Sequence, residues 1–244
     1  EELEQARTQM SNRAFKQEFE AEYVDGIGSV FSDPRNKKLG IGAVCSRGGV
    51  GIGVDWAKRT DYTWFVAACS VCGENVRSVK LKQQMSYKLQ VKLLNEFVAP
   101  FKKRYGISGV YVIADQTGVG DAVMDMIKEE KILPEHRVEG FTFTEKSKSV
   151  LVEETMVDYE SDRIKFNATD ENIDETIKQW EDFTLVVNEK GKIRYGVDYP
   201  LHDDAVDAGM LANRARKSVG TVSGKLIRPG AFRAGYKSSV RVPT

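Results

Sequence analysis

The sequence predicts an α/β fold in which three antiparallel strands are continued by parallel strands, with helices on the faces and a β-hairpin added late in the chain. Three observations predict it. Apolar segments at about 50–55, 62–71 and 75–83 are joined by links too short for a crossover, so they pair as an antiparallel meander. From Ser86 onward, segments with helical spacing alternate with strand-like ones, the pattern of a parallel half-sheet. Two of the apolar strands also run straight into aspartate, Asp55 and Asp115, and a core strand does not end in a carboxylate without a partner for it.

The elements follow in order. Residues 1–22 have Leu3, Met10, Phe15 and Phe19 among charges and read as an amphipathic helix. Residues 26–49, rich in Gly, Asp and Pro, read as a linker onto the main domain. After the meander, Leu89, Leu93, Leu94, Phe97 and Phe101 mark a helix from Ser86 to about Tyr105, closed by Gly106. A parallel strand follows at 109–114, then a loop at 116–121 and a helix at about 119–131. Strands near 137–143 and 163–166 and helices at about 146–159 and 171–180 complete this region. Segments 183–187 and 192–197 form a hairpin turning at Asn188-Glu189-Lys190-Gly191. A last helix runs from about Asp203 to Arg216.

Composition narrows the class. With 244 residues, 41% hydrophobic and 30% charged, the chain can bury one sizeable core. No apolar run reaches the length of a membrane span, and no signal peptide opens the chain. Net charge is zero, but no acidic residue follows Asp207 while basic ones continue to Arg241, so residues 217–244 form a cationic tail. Cys45, Cys69 and Cys72 fall one short of a four-ligand zinc site, and His136 and His202 are distant in sequence. The expectation is reduced, partly buried thiols in an intracellular protein.

The candidate site is acidic. Asp55, Asp115 and the cluster His202-Asp203-Asp204-Ala205-Val206-Asp207 lie on separate elements, and together they suggest a divalent-metal site. Magnesium takes a few hard carboxylate oxygens and keeps waters, which strand ends and one helix start can supply. Taken singly, each aspartate also reads as a helix or turn cap. Asp207 shares a helix face with Asp203 or Asp204, and Asp204 is favoured as the ligand from this helix. Gly49-Val50-Gly51-Ile52-Gly53 lacks the lysine and helix of a phosphate loop and reads as strand glycines that permit close packing.

The order of elements resembles the RNase H-like layout. Gly53-Val54-Asp55 with Asp61-Tyr62-Thr63, Ala114-Asp115-Gln116-Thr117-Gly118-Val119-Gly120, Ser147-Lys148 and His202 to Ala208 resemble the nuclease domain of tailed-phage terminase large subunits. The resemblance covers about residues 24–216, and Gln17 to Tyr23 resembles the join where that family's packaging ATPase ends. It implies three parts: residues 1–25 as the end of an ATPase domain or linker helix, 26–216 as an RNase H-like nuclease domain, and 217–244 as a basic tail.

The resemblance further implies a DNA endonuclease that cuts concatemeric viral genomes during packaging. Asp55, Asp115 and Asp204, with Asp203 or Asp207 assisting, would hold Mg²⁺ or Mn²⁺, as two ions. Lys58, Lys146 and Lys148 are candidates for phosphate contacts, and the hairpin at Lys190 for an auxiliary element that gates or supports DNA. The implied partners are double-stranded DNA, the ATPase domain of the same polypeptide, portal and small terminase, with no membrane, in the host cytoplasm. No Walker motif is present, so the expectation is cleavage without ATP hydrolysis or translocation. The alternatives are a resolvase or transposase of the same fold, and a non-catalytic module docking on portal or DNA.

Overall fold

The computed structural model describes residues 6–7, 10–19, 27–38, 42–45, 48–57, 61–118, 121–187, 193–198 and 200–219. Helix α1 (Asn12–Phe19) and strand β1 (Ile27–Ser29) precede the meander of β2 (Val50–Asp55), β3 (Trp64–Cys69) and β4 (Glu74–Lys80). Helix α2 (Tyr87–Tyr105) starts where the Ser86 hydroxyl accepts from the Leu89 amide, and it stops at Gly106 with φ +70°. Then come β5 (Val110–Asp115), α3 (Asp121–Glu129), β6 (Val138–Phe141), α4 (Glu145–Glu160), β7 (Lys165–Phe166), α5 (Ile173–Asp182), β8 (Thr184–Val187), β9 (Ile193–Gly196) and α6 (Asp204–Lys217).

Six strands form the main sheet in the order β6-β5-β2-β3-β4-β7. β2, β3 and β4 are antiparallel neighbours, while β5 joins β2 and β6 joins β5 in parallel. The predicted mixed sheet is present, with β7 parallel to β4 at the far edge. One face packs on α2 and α3 through Ile52, Val54, Phe65, Leu94, Phe97 and Val123. The other is covered by α6 and, outside it, by α4 and α5 through Leu151, Trp180, Met210 and Leu211.

The strand glycines explain how α6 reaches the sheet. A Cβ on Gly51 would lie 2.0 Å from the Arg216 amide, and one on Gly53 would lie 2.0 Å from the Ala208 carbonyl and 2.3 Å from the Ala212 amide. Helix backbone therefore rests directly on strand backbone, with Ala208, Ala212 and Ala215 fully buried at the contact. Gly53→Ala is expected to destabilise the fold by about 3 kcal/mol, since backbone cannot yield as a side chain can. An unchanged denaturation midpoint would refute that contact.

Two readings need correction, and a third, the hairpin, is present and extended. The expected linker at 26–49 contains β1, which pairs with β8, and Phe31, which is fully buried against Tyr159, Trp180 and Phe183. Its apolar run is too short to show periodicity, and its strand partner is remote in sequence. The hairpin is accordingly two strands of a three-stranded sheet, β1-β8-β9; its turn lies outside the described residues. The second and third meander strands are also shorter than read, at 64–69 and 74–80, with the Leu81 amide donating to the Thr63 carbonyl at 2.8 Å just past the end of the ladder. No described helix is long and apolar enough to cross a membrane.

Candidate metal centre

Strand geometry places the first two aspartates side by side. Val54 pairs with Ala114 in the parallel β2–β5 ladder, so Asp55 and Asp115 are the next residues out at the same end of neighbouring strands. By alternation Asp55 shares a face with Gly51 and Gly53, the face on which α6 lies. The glycine contacts hold that helix so close that its acidic first turn meets the two strand ends.

Helix α6 begins in an unusual way. Asp203 sits at the N-cap, yet its side chain makes no cap bond. The Ala205 amide is instead satisfied by Gln179 Oε1 of α5 at 2.7 Å. Asp203 Oδ2 and Asp207 Oδ2 both accept from Lys148 Nζ at 2.9 Å. Lys148 lies in the first turn of α4, which is fixed by a Thr144–Ser147 capping box. Asp204 Oδ2 accepts from the Tyr62 amide at 3.1 Å, and Asp115 Oδ1 from the Thr117 amide at 2.7 Å, an Asx turn. The helix's other end is tied to α4: Asp158 Oδ2 accepts from Asn213 at 2.9 Å and pairs with Arg216 and Lys217.

The electrostatics are those of an anion cluster that Lys148 only partly offsets. Burial, then the charges of Asp207, Asp204, Asp115 and Asp203, push the Asp55 carboxyl well above the ordinary range. Burial also raises Asp115, against the Thr117 hydrogen bonds and the Lys148 charge. Asp204 is pushed up to about 6, mainly by burial, against the Tyr62 amide. Asp207 is pushed up to about 7 by burial despite Lys148, and its Oδ1 is buried with no hydrogen-bond donor among the described residues. A buried carboxylate oxygen without a donor, among converging hard oxygen ligands, fits a divalent cation.

In the metal-free chain these carboxyls keep protons when folded that the unfolded chain releases near pH 3.8, so stability falls as pH rises through that value toward about 6 and 7. The Tm in EDTA is expected to decline across that interval and to level beyond it; a flat profile would contradict the clustering.

Of the sequence candidates, Asp55, Asp115, Asp203, Asp204 and Asp207 come together. Lys148 is engaged by two of these carboxylates rather than offered to a phosphate. Lys146 is exposed, and Lys58 and Lys190 lie outside the described residues. Sequence reasoning missed Asp61 and His202 as possible ligands. His202 Nδ1 stands 3.3 Å from Asp61 Oδ1 and 3.8 Å from Asp204 Oδ2, and these three residues form a possible metal-binding group. The signal was their place within the motifs that hold Asp55 and Asp204.

Comparison with known proteins agrees with this architecture. The chain is similar to the large terminase nuclease of thermophilic phage G20c crystallised with bound magnesium, at 19% identity and TM-score 0.62, over 76% of this chain and 96% of that one. The Thermus phage P74-26 large terminase nuclease domain matches at 18% identity and TM-score 0.59, over 76% of this chain and 94% of that one. The large terminase of another thermophilic bacteriophage matches at 13% identity and TM-score 0.65, over 87% of this chain but 51% of its own length. A search of curated proteins returned no match. The family described as the terminase RNase H-like domain matches residues 52–215, from the middle of β2 almost to the end of α6, and the chain belongs to that family.

Proposed function

We propose that this chain is a divalent-metal-dependent DNA endonuclease domain that cuts concatemeric viral DNA during genome packaging. The observation that carries the reading is the convergence of Asp55, Asp115, Asp203, Asp204 and Asp207 at one end of the sheet, within a terminase RNase H-like domain. The magnesium bound to the G20c nuclease, and the cobalt bound in another of its crystals, support a divalent cofactor. We assign Asp55, Asp115 and Asp204 as ligands of Mg²⁺ or Mn²⁺, with Asp203 and Asp207 assisting, and two ions as the working number.

Metal bound there would supply an activated water and charge neutralisation of the scissile phosphate and the leaving 3′-oxygen. The chain's own contribution is positioning. The Thr117 amide holds one oxygen of Asp115 and the Tyr62 amide one oxygen of Asp204, which fixes the orientation of each carboxylate. Lys148 fixes Asp203 and Asp207 and offsets part of their charge. Phosphate contacts fall to Lys58, Lys146 and Lys190, which would place the DNA backbone without reading bases.

Within this reading, residues 26–216 are the nuclease domain, 1–25 the end of an ATPase domain or linker, and 217–244 a basic tail. The partners are double-stranded DNA, the ATPase domain, portal and small terminase, in the host cytoplasm. The test is cleavage of supercoiled plasmid with Mg²⁺, with Mn²⁺ and with EDTA. Nicked and linear products with metal, and none with EDTA, are expected. DNA binding without cleavage under any metal would favour a docking module, and preference for branched DNA a resolvase.

A further inference from the structure

A second cluster lies at the opposite end of the same sheet. Cys69 ends β3 and pairs with Val50 at the start of β2, whereas Asp55 pairs with Trp64. Five residues of strand, about 17 Å, separate the two ends. Cys72 follows in the turn to β4, and Cys45 comes from the segment before β2. The three sulfurs lie within 4.8 Å of one another. Tetrahedral zinc with bonds of about 2.3 Å places its thiolates about 3.8 Å apart, so small side-chain rotations close the gap.

Among the three sulfurs the Cys72 thiol, with nearby amides, lowers Cys69 to about 5, while burial raises Cys45 and the bond to Cys69 raises Cys72. The Cys45 amide donates to Cys69 Sγ at 3.4 Å, the Val71 and Cys72 amides are directed at the same sulfur, and the Glu74 amide at Cys72 Sγ. The turn is Cys69-Ser70-Val71-Cys72-Gly73, with Gly73 at φ +73° and its amide bonded to the Cys69 carbonyl at 3.0 Å. A Cβ on Gly73 would lie 1.6 Å from the Arg163 carbonyl, so neighbouring backbone also holds this turn in place. Nothing in the carboxylate chemistry uses this arrangement. Amides aimed at sulfur favour the charged, metal-binding form of a thiol and orient its lone pairs.

We propose that Cys45, Cys69 and Cys72 form a three-thiolate site for a thiophilic divalent cation, Zn²⁺ by its chemistry, which clips the segment before β2 to the β3–β4 turn. Each coordinating thiol gives its proton to solvent. The chain has no further cysteine, and neither histidine belongs to the cluster, so water or an added ligand completes the tetrahedron. The expectation from sequence that zinc is absent rested on counting four protein ligands; it could not foresee that Cys45 meets the C-x-x-C turn.

The test uses the reduced full chain, stripped by chelator and titrated with Co²⁺ in excess Mg²⁺. A sulfur-to-cobalt charge-transfer band saturating at about one ion per chain and bleached by Zn²⁺ is expected. It should persist in Asp55→Asn and vanish in Cys45→Ser and Cys72→Ser. Should those variants fail to fold, zinc-edge X-ray absorption on the wild type still decides, with a sulfur shell near about 2.3 Å expected. Absence of the band with three thiols titratable, an oxygen-and-nitrogen-only shell, a Cys69–Cys72 disulfide after reducing purification, or a band retained in both folded cysteine variants would overturn the site.

Discussion

Asp55→Asn is expected to lower metal-dependent plasmid cleavage more than about 100-fold, beyond the cost of altering a mere partner of a ligand. The substitution keeps shape and volume but removes the anion at the centre of the cluster. The same change should raise the Tm in EDTA. In the metal-free fold this carboxyl is pressed by burial and by four neighbouring carboxylates, and a neutral amide relieves that repulsion. Activity and stability therefore move in opposite directions, which separates a ligand from a structural residue. Wild-type cleavage would remove Asp55 from the site, and a fall in Tm would mean that its charge has a stabilising partner.

Lys148→Met is expected to destabilise the metal-free chain by about 3 kcal/mol. Burial opposes its charge, yet Asp207 and Asp203 hold the ammonium above the usual lysine range, so it stays cationic. Breaking a buried pair costs more than the pair is worth, because the surviving carboxylates stay in place without counter-charge. Their side chains retain 26% and 13% exposure, which puts the figure at the low end for buried pairs. Mg²⁺ should shrink the deficit by supplying the missing charge, and cleavage should fall about 10- to 100-fold as Asp203 and Asp207 lose their anchor. Denaturant titrations with EDTA and with Mg²⁺ measure both effects. An equal deficit in the two conditions would show that Lys148 matters through packing alone.

Local chemistry made much of this protein legible from its sequence. Continuous apolar runs joined by short links located the meander, whose strands β2 and β3 are buried on both faces, and helical spacing located every described α-helix. Asp55 and Asp115 stood out because an apolar strand ending in a carboxylate needs an explanation wherever it folds. The glycines at 51 and 53 were readable as a packing surface, although not as the seat of α6.

Tertiary structure alone decided what depends on distant segments meeting. Asp203 looked like a cap, but Gln179 from another helix supplies the Ala205 amide and frees Asp203 to pair with Lys148. Lys148 looked like a phosphate contact, but α4 and α6 cross so that two aspartates take its ammonium. β1 looked like linker because its partner β8 comes far later in the chain. Cys45 counts beside Cys69 and Cys72 in the sequence, but only the fold brings the segment before β2 onto the β3–β4 turn. Sequence spacing encodes the periodicity of single elements, whereas charge pairing and ligand number depend on which elements become neighbours, and only the packed fold determines that.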